Sequence, residues 1–245
     1  MFNPIELILS ALAVLITLTV HEYSHGYAAY KLGDDTAKSV GRLTLNPIKH
    51  LDPIGALCML FFHIGWAKPV PINPTNFKNP KKGFAICALA GPLSNIIMAF
   101  LSAGLYLLFF RIFSAVRFEN EFVFNLSYNF LLFIFLFHSI NIGLGIFNLI
   151  PVPPLDGSRL LTVILPEHTY FKIMKNERKI YIAVVLWLLL GDNVKNFLLS
   201  VPLISGNSAL SALAGVFSLS DMLAAVIQKL SDGMMWIWQL IPFLK

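Results

Sequence analysis

Leu7-Ile8-Leu9-Ser10-Ala11-Leu12-Ala13-Val14-Leu15-Ile16-Thr17-Leu18-Thr19-Val20-His21-Glu22-Tyr23-Ser24-His25-Gly26-Tyr27-Ala28-Ala29 is the stretch on which the fold turns. No charge falls between Leu7 and Val20, and the apolar run resumes after His25. From Pro4 to Tyr30 the segment is long enough, at ~1.5 Å per residue, to cross a ~30 Å hydrocarbon core. On such a helix His21 and His25, at i and i+4, share one face, with Glu22 beside the first. In soluble proteins this spacing marks a zinc-hydrolase helix, with two metal ligands and a general base. Ionisable side chains are costly in lipid and are usually functional there, so the pattern predicts a hydrolytic metal site inside a membrane.

The rest of the composition agrees. Hydrophobic residues make up 57% of the 245 and charged ones 13%, against roughly 25% charged in soluble domains. The fold class expected is all-α, a polytopic membrane protein. The net charge of +5 is no nucleic-acid signal, because lysine and arginine gather in the cytoplasmic loops of membrane proteins. Cys58 and Cys87 sit in apolar surroundings and read as small core residues. Met1 to Glu6 lacks a basic leader, so the first apolar segment is expected to be a retained span.

Two more uncharged runs are long enough to span: Phe84 to Phe110, and Phe122 to Leu155, the latter broken by Pro151, Pro153 and Pro154. Ile180 to Gly191 is shorter than a span and needs its flanks. Asn196 to Ser220 is interrupted by Pro202, Gly206 and Asn207. Ser211 to Leu230 has the make-up of an interfacial helix, and Trp236 and Trp238 that of interfacial anchors. The expected architecture is a three-span core over residues 1–165, then one to three further spans or interfacial helices over 166–245. Between the first and second spans, Lys31, Lys38, Arg42, Lys49, Lys68, Lys78, Lys81 and Lys82 outweigh Asp34, Asp35 and Asp52. Residues 156–179 are also basic, whereas 111–121 are balanced. The positive-inside rule then places the N-terminus outside and the first and third connections in the cytoplasm of a multi-pass cell (inner) membrane protein. His21 lies ~25 Å along the first helix from Pro4, nearer the cytoplasmic side.

A catalytic zinc site usually takes three protein ligands. The remaining candidates are His50, His63, His138, His168 and Asp156. Asn148-Leu149-Ile150-Pro151-Val152-Pro153-Pro154-Leu155-Asp156-Gly157 must leave the helix at its prolines, and Gly157 permits an unusual turn. Irregular backbone at membrane depth is tolerated where it is buried in protein or lines a wet cavity. An aspartate held on such a break is well placed to meet the His21–His25 helix.

Together with Ala90-Gly91-Pro92-Leu93-Ser94-Asn95, Gly41 to Gly55 and Gly65-Trp66-Ala67-Lys68-Pro69-Val70, these segments resemble the site-2 protease family of intramembrane zinc metalloproteases. The resemblance covers about residues 10–165 and is nearest to compact members, with no room for a PDZ insertion or a regulatory C-terminal domain. It implies one zinc ion held by His21, His25 and Asp156, with Glu22 as general base. Asn148 would contact the substrate backbone or the developing oxyanion. The implied partners are the lipid bilayer and a membrane-protein substrate with a transmembrane helix, cleaved within or near that segment. Pro154-Leu155-Asp156-Gly157 departs from the Asn-Pro-Asp-Gly of many relatives but keeps the aspartate.

Blander readings stand beside these. Ala90 to Asn95 reads as helix packing that supports the site, His138 as a hydrogen-bonding partner of a neighbouring helix, and His50 as a loop histidine. Leu60 to Gly65 together with Lys68 to Ile72 reads as a re-entrant hairpin or an edge strand to which substrate could add, or equally as a plain structural loop. A metal-ion transporter or binding protein would keep its activity without Glu22. A proteolytically silent relative would have lost a ligand or the base, yet all four residues are present.

Overall fold

The structure, a computed structural model, describes residues 3–55, 67–201 and 218–244, without the side chain of Leu189. His63 and Cys58 lie outside the described residues. Three helices form the framework: α1 (Pro4–Lys31), α3 (Pro80–Ser114) and α4 (Glu121–Leu149). Among the described residues these three are long and apolar enough to cross a membrane. A short helix, α2 (Thr36–Ser39), follows α1. After α4 come α5 (Gly157–Ile164), α6 (Glu167–Lys175), α7 (Glu177–Leu199) and α8 (Leu219–Gln239). No strand occurs among the described residues; Leu51 and Ala67 form one isolated antiparallel bridge.

Local chemistry sets the helix ends. Asn3 accepts the N–H groups of Ile5 and Glu6, Asn79 that of Lys82, and Asn120 those of Phe122 and Val123. Each satisfies N–H groups that a helix start leaves unpaired. Pro4 and Pro80 take the first helical position, where a missing N–H costs nothing. Gly33, at φ +104°, turns the chain away after α1. Helix α4 stops at Leu149, just before Pro151, so the long uncharged run divides into a span and an irregular return.

Helices α1, α3 and α4 pack mutually, and α5 lies against α3. Gly145 on α4 lets this happen at close range, because a Cβ there would stand 2.9 Å from Ile96 and 3.2 Å from the Pro92 carbonyl. Helix α7 bends by 47° between Leu188 and Leu190, and counts as a fourth span only if both halves are taken together. Of the segment expected to lie at the interface, residues 211–217 fall outside the described residues. Helix α8 starts at Leu219 and packs on α3 and α4, where Met234 joins Ala99, Ala103 and Ile142 in a buried cluster. Trp238 is a packing residue here: its indole N–H donates to the Phe100 carbonyl (2.8 Å) and its ring stacks on Phe100. Gly104 leaves the space, since a Cβ would fall 2.5 Å from that indole. Trp236 remains exposed.

Candidate metal centre

His21 and His25 project from the same face of α1, both buried. The chain after α4 folds back so that Asp156 reaches them. Nε2 of His21 lies 3.0 Å from Asp156 Oδ2 and 3.0 Å from Nε2 of His25, which is itself 3.2 Å from Oδ2. Gly157 makes the return possible through its missing side chain: a Cβ there would stand 2.3 Å from the Leu149 carbonyl oxygen and 2.5 Å from that of Ile150. The expected role for this glycine, an unusual turn, is not the one it plays. Its function is close backbone approach, and among the described residues the positive-φ glycines are Gly33 and Gly41.

Helix α3 forms the wall behind the histidines. The Cys87 carbonyl accepts a hydrogen bond from Nδ1 of His25 at 2.6 Å. A carbonyl only accepts, so Nδ1 carries a proton, and in the neutral imidazole Nε2 presents its lone pair. One turn further along α3, Gly91 faces the same pair: a Cβ would stand 2.3 Å from Nε2 of His25 and 2.7 Å from Cε1 of His21. The Ala90 to Asn95 segment therefore supports the site by leaving room for it. Nδ1 of His21 is buried and has no hydrogen-bond partner among the described residues.

The donor set fits zinc. Two imidazole nitrogens and a carboxylate oxygen converge within 3.0–3.2 Å of one another, an arrangement that a shared cation satisfies. Donors at ~2.0–2.1 Å from a tetrahedral zinc are separated by about 3.3 Å, close to the edges of this triangle. Among the described residues His21, His25 and Asp156 are the group so placed. The Asp156 side chain keeps a quarter of its surface accessible, a route for water.

The other candidates lie in different settings. The Glu22 carboxylate, half-buried next to His21, accepts the Val70 N–H at 2.8 Å. Asn148 donates to the Leu144 carbonyl one turn back on α4 (3.1 Å) and is half-buried. His138 bridges three helices, with Nδ1 on the Ala99 carbonyl and Nε2 on the Ser231 hydroxyl, both at 2.8 Å. His50 is buried in the loop after α2, where Nε2 donates to the Thr44 carbonyl (2.7 Å). His168 is exposed and meets Thr169.

The family model for peptidase family M50 matches residues 9–191. The chain belongs to peptidase family M50. The peptidase is 41% identical over 166 residues to a Bacillus subtilis (strain 168) protein named "Putative zinc metalloprotease YwhC", a match covering 68% of this chain and 73% of that one. It is 28% identical to "Putative zinc metalloprotease Rip2" of Mycolicibacterium smegmatis (58% of this chain, 52% of the relative). It is also 28% identical to "Zinc metalloprotease MJ0392" of Methanocaldococcus jannaschii (66% of this chain, 36% of the relative). The match thus spans about half of Rip2 and less of MJ0392. No solved structure matches. The protein is a zinc-dependent metalloprotease with membrane-length helices, and the site-2 protease resemblance read from its motifs holds.

Proposed function

We propose that this metalloprotease hydrolyses peptide bonds within or near transmembrane segments of other membrane proteins. One observation carries the reading: His21, His25 and Asp156 converge beside Glu22 between helices of membrane-spanning length and apolarity. His21, His25 and Asp156 hold the zinc, and Glu22 is the general base. Zinc held there acidifies a water nucleophile and polarises the scissile carbonyl. Glu22 takes a proton from the attacking water and returns it to the departing amine, which becomes a good leaving group only when protonated. The proton Nδ1 of His25 shares with the Cys87 carbonyl keeps that ring oriented. Asn148 sits at the end of α4, just before the chain turns back towards Asp156, and offers an amide to the substrate backbone. A helical substrate hides its amides, so it must unwind before cleavage. The basic connections support a site nearer the cytoplasmic side, with the N-terminus outside.

The test is cleavage of a transmembrane reporter by the purified protein in detergent, with zinc content measured alongside. Wild type should cleave and be stopped by a chelator, while Glu22→Gln should bind one zinc and not cleave. Undiminished cleavage by Glu22→Gln would overturn the assignment.

A further inference from the structure

One hydrogen bond to Glu22 comes from a segment with unusual chemistry. In Lys68-Pro69-Val70-Pro71-Ile72, two prolines flank Val70, so from Pro69 to Pro71 only Val70 has an N–H. Prolines also hold their own φ and push the preceding residue towards extended backbone, which stiffens the stretch. That lone N–H is the one donated to Glu22. The Val70 side chain is buried over Gly26, where a Cβ would stand 3.0 Å from Val70 Cγ1. Glu22 and Gly26 are one turn apart on α1, so Val70 grips this face at two points.

The segment is secured on both sides of Val70. Upstream, the Lys68 N–H donates to the His50 carbonyl (2.9 Å), and the Arg42 guanidinium donates to the carbonyls of Lys68 (2.6 Å) and Pro69 (3.3 Å). Downstream, buried Asp34 accepts the Asn73 N–H (2.7 Å) and the Asn76 side-chain amide (2.7 Å). Ile72 and Phe77 pack against Ala29 and Cys87, which ties the same stretch to α1 and α3.

We infer that Lys68–Asn73 is a backbone brace that holds one oxygen of the Glu22 carboxylate and leaves the other free to move the proton, with Arg42 and Asp34 as positioning residues. This rests on the assignment of Glu22 as general base. A base held in place avoids the cost of reorienting at each turnover, and misplacement by about 1 Å can cost about a hundredfold in rate.

The test uses the full chain in detergent with the transmembrane reporter, reading kcat, KM and zinc content. Arg42→Gln and Asp34→Asn should each lower kcat about tenfold or more, with KM within about twofold and one zinc retained. Arg42→Lys keeps a donor for the carbonyls and should recover part of the loss. The double variant Pro69→Ala/Pro71→Ala leaves every side-chain hydrogen bond of the brace in place. It should show the same kcat loss, and it decides the matter if the charged-residue variants do not fold. Wild-type kinetics in these variants, a rise in KM at constant kcat, or loss of zinc would each overturn the brace. Glu22→Gln separates the two failures. If it is inactive while the brace variants match wild type, only the brace is wrong; if it still cleaves, the assignment of Glu22 is wrong.

Discussion

Gly91 and His25 stand so close that a single methyl group on Gly91 would lie 2.3 Å from the Nε2 atom of the histidine. Carbon and nitrogen do not approach this closely without bonding, and the contact falls on the atom assigned to the metal. A glycine in mid-helix carries a cost of about 1 kcal/mol relative to alanine, which isolates this position as one set by the site.

Gly91→Ala should therefore lose zinc and activity together while the helices remain. Helix content by circular dichroism, with zinc measured on the same sample, checks this. Stoichiometric zinc in the variant would show that the histidines have room to move aside.

Asp156→Asn should also lose zinc, because it removes the one anionic donor of the three. The amide keeps the size of the side chain, so thermal stability in the presence of chelator should match wild type. Without chelator, wild type alone should gain stability from added zinc, since a ligand bound only by the folded state stabilises it. An equal gain in Asp156→Asn would place the ion elsewhere.

His138→Phe tests the tie between α8 and the spans. The substitution keeps an aromatic ring and removes both hydrogen bonds, to the Ala99 carbonyl and to Ser231. Measured side-chain hydrogen bonds in membrane helices average about 0.6 kcal/mol and reach about 1.7, so a loss of about 1–3 kcal/mol is expected for the pair. Zinc content should be unchanged; a variant that loses zinc would bring His138 into the metal site.

Asp34 should make stability pH-dependent. Burial alone would raise its pKa, but the Thr36 side chain, the Asn73 N–H, the Asn76 amide and the Thr36 N–H together hold it below the ordinary 3.8. A carboxyl with a lowered folded-state pKa contributes stability above its unfolded pKa. That stability is lost as the pH falls through the folded value. Wild type should thus lose melting temperature progressively below about pH 4 relative to Asp34→Asn, which lacks the titrating group. Parallel curves for the two proteins would show that Asp34 contributes nothing through its charge.

Much of the site was legible because its parts are local. The i, i+4 histidine pair needs only a helix to share a face, and the prolines from Pro151 to Pro154 end α4 by their own chemistry. The asparagine–proline starts at Asn3-Pro4 and Asn79-Pro80 were equally local and were available as helix-boundary signals. The setting of Trp238 was not: an exposed tail tryptophan and one stacked on Phe100 have the same sequence surroundings, and the partner lies 138 positions away. The same holds for the contacts that support the metal centre. Cys87 acts through its carbonyl and Val70 through its N–H, backbone groups that every residue type except proline shares in full.

The amino-acid sequence by itself determined that this is a membrane-embedded helical protein with a metalloprotease motif, because apolar length and helical periodicity act over neighbouring residues. Tertiary structure alone decided how the motif becomes a site. Asp156 meets His21 from 135 positions away, the Cys87 carbonyl orients His25 across 62, and Val70 reaches Glu22 across 48. Hydrogen bonds and steric contacts act over a few ångströms in space, whatever the separation along the chain, so only the packed helices could bring those partners within range.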